Sequence, residues 1–113
     1  MRLRYRMSIL LPLLTVPLIL ALGNGDATKG KTLYNSRCVI CHGGTGDGNE
    51  AIAKALGVKM PSLSSKEIQS LDDAAMKKII VEGKGKMQAV KLSDADVEDV
   101  IAFLRSLKKP SAK

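Results

Sequence analysis

Cys38-Val39-Ile40-Cys41-His42 holds the only two cysteines and the only histidine of this 113-residue chain. Two thiols three residues apart fall on one side of a single helical turn. From there both reach the vinyl groups on one edge of a haem and can join them as thioethers. The adjacent imidazole is then held over the ring with a nitrogen aimed at the iron. This spacing is that of c-type haem attachment. The expected cofactor is one covalent haem c with its iron, bound through Cys38, Cys41 and His42.

Three other uses of the motif weigh less. A thioredoxin-like pair needs a βαβ context, and no segment here alternates as a strand does. A zinc site needs four ligands, more than two cysteines and one histidine supply. A disulfide closing so short a loop stabilises little. A lone histidine is more often a satisfied core or surface residue, but its place directly after the second cysteine outweighs that.

A second axial ligand would be a soft methionine thioether, which raises the reduction potential. Three methionines follow the first 23 residues. Met76 lies in a helical pattern and suits a core role. Met60 precedes Pro61 and is only 18 residues past His42. Met87 sits in a Gly/Lys loop, Gly83 to Lys91, which can carry a side chain across the far face of the ring. Met87 is the expected second metal ligand beside His42; the alternative is a gap-filling core methionine.

The elements that must position these residues read as helices. Gly30, Leu33, Tyr34 and Arg37 recur at helical spacing, giving a helix over about 27–38. Four glycines within 43–48 make a loop; without Gly-Lys-Ser/Thr or a preceding strand it is not a nucleotide cradle. Asn49 caps a short helix to Leu56, stopped by Gly57. Residues 58–65 are irregular around Pro61. A helix from about Asp72 to Glu82 would present Leu71, Ala75 and Ile79 inward and end at Gly83. Ser93 opens the last helix, with Asp96 in a capping-box variant and a stripe of Val97, Val100, Ile101, Leu104 and Leu107. The fold class is all-α, with four to five helices.

Residues 1–23 read as a secretory signal peptide: Arg2, Arg4 and Arg6, an uncharged run from Met7 to Leu22, then Ala21-Leu22-Gly23. The alternative is an uncleaved anchor, the one route to membrane contact. A spanning helix needs about 20 apolar residues, and this run is 16 long with Pro12 and Pro17 inside it. Residues 24–28 read as a linker, 29–109 as the domain and 110–113 as a flexible tail. Export through a cleaved leader gives a periplasmic protein. The formal charge of +7 falls to +4 without the three leader arginines. No basic run is interleaved with aromatics, so nucleic acid is excluded as a partner. Beyond the leader the only aromatics are Tyr34 and Phe103. So few large rings leave a small core short of filling, which a buried cofactor would provide.

Gly30, Tyr34, Cys38-x-x-Cys41-His42, Met60-Pro61, Gly83-x-x-x-Met87 and the last helix together resemble class I cytochromes c of the small bacterial type, over about residues 27–109. The resemblance implies a cytochrome c fold around one covalently bound haem, with Cys38 and Cys41 as thioether attachments, His42 proximal and Met87 distal. It implies that Gly30 and Tyr34 pack against Val100 and Phe103 where the first and last helices cross. It also implies that the Pro61 carbonyl accepts from the second nitrogen of His42. Gln88 stands where many relatives have proline, and there is no tryptophan.

The function so implied is that of a single-electron carrier between redox proteins, not an enzyme, and without a small-molecule substrate. Lys84, Lys86 and Lys91, with Lys29 and Lys31, would steer acidic partners; a merely solvated lysine surface is the alternative. Two other functions stay open: a haem-based ligand sensor or peroxidase-like protein with an open sixth position, and a cytochrome subunit of a larger oxidoreductase.

Overall fold

A computed structural model describes residues 25–109, together with Pro12 and Thr15. Those two positions apart, the leader expected over 1–23 and the tail expected over 110–113 lie outside the described residues. The described chain is all-α: α1 Ala27–Arg37, α2 Val39–His42, α3 Glu50–Leu56, α4 Lys66–Gln69, α5 Asp73–Glu82 and α6 Asp94–Ser106. Among the described residues the only strand-like pairing is an isolated bridge between Lys84 and Met87.

Each helix but α2 begins where a short polar side chain takes up orphan amide protons. Asp26 accepts from Thr28 and Lys29, Asn49 from Ile52, Ser65 from Ile68, Asp72 from Ala75 and Ser93 from Asp96. α2 lacks a side-chain cap because it is a kinked continuation of α1. Cys38 serves both helices: its N–H donates to the Tyr34 carbonyl at 2.8 Å, and its carbonyl accepts from Cys41 N–H at 3.3 Å and His42 N–H at 3.0 Å.

α1 and α6 cross most closely, at Gly30. A Cβ on Gly30 would overlap the Asp99 carbonyl and lie 2.9 Å from the Phe103 Cβ, so only glycine lets the backbones meet. Beside it Tyr34 and Phe103 pack ring to ring, centroids 5.0 Å apart and tilted by 55°. α5 also packs on α6. The core is Tyr34, Leu63, Met76 and Ile80 closed against Val97, Val100, Ile101, Phe103 and Leu104 of α6.

Four sequence expectations need correction. There are six helices, not four to five: the one-turn helices α2 and α4 are too short to show a period. The inward face of α5 is Met76 and Ile80, with Leu71, Ala75 and Ile79 half-buried at its rim. On α6, Phe103 joins the buried stripe through its contact with Tyr34, and Leu107 is only half-buried. From Gly25 on, the linker expected over 24–28 belongs to the domain. Asp26 caps α1 and donates its amide to Asp99 Oδ1 at 2.7 Å, and a Cβ on Gly25 would strike the Glu98 carbonyl.

Candidate haem site

The motif turn is held from three sides. Below it, the Tyr34 hydroxyl donates to the Gly43 carbonyl at 2.5 Å, directly after His42. Behind it, the glycine loop folds back, with Gly48 N–H donating to the His42 carbonyl at 2.7 Å and Asn49 N–H to the Cys41 carbonyl at 2.8 Å. Beyond that loop, Ser62 donates to Asp47 Oδ1 at 2.7 Å and Leu63 N–H to the Gly46 carbonyl at 2.9 Å. The segment 60–63 is thereby sewn to the motif.

Cys38 and Cys41 are half-buried free thiols. Burial pushes the Cys38 thiol up, partly offset by the Arg37 guanidinium next to it. Burial pulls His42 below its ordinary range, so the imidazole is neutral at neutral pH, the form that ligates iron. Its Nδ1 is buried without a hydrogen-bond partner. The bond expected from His42 to the Pro61 carbonyl is therefore not formed in this structure. Pro61 is exposed, its segment being tied to the glycine loop through Ser62 and Leu63.

The three methionines separate as their contexts suggest. Met76 is a core residue, 4% exposed. Met60 packs on the glycine loop, its Cβ 3.2 Å from where a Cβ on Gly48 would stand, and lines a shallow groove with Ala53 and Val58. Met87 is half-buried at the end of a tight turn. Lys84 N–H donates to the Met87 carbonyl at 3.0 Å, and Met87 N–H to the Lys84 carbonyl at 2.9 Å.

These residues fit a haem. Neither α2 nor α3 buries a side chain. Ile40 is 70% exposed and Leu56 41% exposed. This half of the domain offers apolar groups, two thiols and a neutral imidazole with an orphaned nitrogen, and has no core of its own. Sequence reasoning missed Asp47, Ser62 and Arg37. An aspartate between two glycines, two residues after Thr45, is a recognisable turn-former, but its partner at Ser62 has no local signature.

Two predictions arise from these ties. Burial, with smaller effects of Cys38 and Asp47, raises the Tyr34 hydroxyl to about 12, so it donates at all physiological pH. Tyr34→Phe leaves the Gly43 carbonyl without its partner and should cost about 1–3 kcal/mol in denaturant unfolding. The Ser62 and Thr45 hydrogen bonds, with Lys109, hold the exposed Asp47 carboxyl below its usual 3.8. A group with a lowered folded pKa stabilises above its unfolded value, and that contribution fades as pH falls through the folded one. The Tm advantage of the native chain over Asp47→Asn should therefore be full near pH 6 and shrink below about pH 4.

Comparison with known proteins identifies the family. The family described as cytochrome C oxidase, cbb3-type, subunit III matches residues 25–104. Cytochrome c-554(547) of Halothiobacillus neapolitanus is 33% identical over 93 residues, which cover 74% of this chain and 99% of that protein. The thiosulfate dehydrogenase of Stutzerimonas stutzeri (strain A1501) is 33% identical over 97 residues, 78% of this chain and 29% of that protein. The cbb3-type cytochrome c oxidase subunit CcoP of Azospirillum brasilense is 30% identical over 84 residues, 72% of this chain and 28% of that subunit. The chain thus spans nearly all of the first relative and less than a third of the other two. The solved structure of the KustC0563 c-type cytochrome superposes with a TM-score of 0.60 at 27% identity, over 71% of this chain and 98% of that one. The chain belongs to the haem- and iron-binding, electron-transferring c-type cytochromes, as a small class I cytochrome c of the cbb3 subunit III family.

Proposed function

We propose that this protein is a periplasmic single-haem electron carrier that exchanges one electron at a time with redox proteins and turns over no substrate of its own. When bound, the haem supplies a reversible one-electron change at its iron. Cys38 and Cys41 would hold it as thioethers, and His42 and Met87 would ligate its iron. His42 Nδ1, unpaired in this structure, would take the Pro61 carbonyl as its acceptor once haem is bound, a bond that would orient the ring and raise its basicity. The observation that carries this reading is the half-buried His42 with its unpaired Nδ1, fixed through Gly43 by Tyr34 directly after the cysteine pair. With His42 and Met87 both held on the iron, no position there would be left for a substrate.

The periplasmic assignment rests on the leader pattern; among the described residues no helix is long and apolar enough to cross a membrane. Lys84, Lys86 and Lys91 are exposed around Met87, and Lys29 and Lys31 are exposed on α1. They support docking of acidic partners. Electron-transfer rates to an acidic redox protein should fall about tenfold between low and physiological salt, and a flat profile would remove the steering.

The reading is tested by a redox titration of the purified holoprotein. It predicts one electron per chain, the red charge-transfer band of methionine–ferric ligation, and no binding of carbon monoxide at moderate concentration. Ready carbon monoxide binding with no such band would overturn the carrier assignment. A second reading, a cytochrome module working inside a larger oxidoreductase, is favoured by the partial matches to the thiosulfate dehydrogenase and the oxidase subunit. Under it, the native extract would elute the haem protein in a complex far larger than one chain.

A further inference from the structure

The segment that carries Met87 leaves α5 at Gly83, which has a left-handed φ of +79°. A Cβ on Gly83 would stand 2.6 Å from the Met87 carbonyl oxygen and 2.9 Å from the Ala89 amide nitrogen. Both are backbone atoms, so no rotamer change relieves the contact. At its far end the segment is tied twice. Val90 N–H donates to the Ile80 carbonyl at 2.8 Å, and Arg37 Nη2 donates to the Lys91 carbonyl at 2.9 Å. Arg37 is the last residue of α1 and the neighbour of Cys38. The residue that leads into the attachment motif thus also holds the end of the loop bearing the methionine.

We propose that Gly83 and Arg37 are positioning residues for Met87: close backbone packing at one end and a guanidinium clamp at the other hold its thioether in place as the sixth ligand. The inference rests on Met87 being that ligand. It predicts how firmly the ligand is held, because carbon monoxide binds only the fraction of reduced protein whose methionine is off the iron. Apparent affinity rises in proportion to that fraction.

The test compares native holoprotein with Gly83→Ala, Arg37→Ala and Gly57→Ala. Each is checked for bound haem by pyridine haemochrome and for folding by far-UV circular dichroism. Gly57 has a left-handed φ of +66° with nothing near its Cβ position, so its replacement imposes the same kind of backbone strain without a collision. Gly83→Ala should lose most of the methionine–iron band and bind carbon monoxide at least about tenfold more tightly. Arg37→Ala should move the same way by about two- to fivefold, and Gly57→Ala should stay at the native value. If Gly83→Ala yields no folded holoprotein, Arg37→Ala decides alone. Native band intensity and carbon monoxide affinity in every folded variant would overturn the positioning roles while leaving the ligand assignment intact. A native protein without the band would overturn the ligand assignment, and this inference with it.

Discussion

Replacing both Cys38 and Cys41 with alanine should give a colourless chain that has lost most of its helical ellipticity and melts without a cooperative transition. Among the described residues the nine buried apolar side chains come from α1, α5, α6 and Leu63, and none from α2 or α3. A core of that size in a domain this small leaves little margin against chain entropy. Inside the protein the two halves are joined by the packing of Cys38 and Val39 on the core and by a handful of hydrogen bonds: Tyr34 to Gly43, Ser62 to Asp47 and Leu63 to Gly46. Each is worth only about 0.5–1.5 kcal/mol net. A covalently held haem adds a large apolar surface to the half that has no core, and it cannot dissociate on unfolding. A variant that stayed helical and melted cooperatively without haem would contradict this.

Gly30→Ala should be the most damaging single substitution outside the ligands. Alanine improves helix propensity by about 1 kcal/mol. Against that, its methyl would overlap the Asp99 backbone carbonyl and press the Phe103 Cβ at 2.9 Å. Overpacking of side chains costs about 1–3 kcal/mol, and a clash with backbone relaxes less readily because two helices must move apart. Separation would also loosen the Tyr34–Phe103 contact and, through the Tyr34 hydroxyl, the grip on Gly43. The collision outweighs the propensity gain, for a net loss of about 2–4 kcal/mol. In a domain of this size that lowers Tm by roughly 10–25 °C. A thermal melt of the holoprotein within about 3 °C of the native value would show that the crossing has slack.

Much of this was legible in the residues. Capping residues marked two helix starts, Asn49 and Ser93, because an N-cap and its partner amide lie within three residues of each other. The crossing of the first and last helices was legible only through the family resemblance, since Gly30 and Asp99 are far apart in sequence. α2 and α4 were not, since one turn has no periodicity to detect. The inward face of α5 was displaced by one position because Ile79 and Ile80 are equally apolar. Only the packing against α6 selects Ile80. The attachment motif is contiguous and so was plain. The tie from Asp47 to Ser62 and the clamp from Arg37 to Lys91 join residues 15 and 54 positions apart, and nothing local announces either. The His42–Pro61 bond shows the converse. The resemblance supplied it, whereas the structure ties the Pro61 segment to the glycine loop and leaves His42 Nδ1 unpaired.

The central claim is that the turn from Cys38 to His42 carries haem by covalent bonds. Acid–acetone extraction of the purified protein, followed by pyridine haemochrome and peptide mass analysis, tests it most directly. The account predicts that the colour stays with the chain and that the peptide spanning 38–42 gains the mass of one haem. Colour passing into the organic layer, with both thiols free or joined to each other, would contradict it.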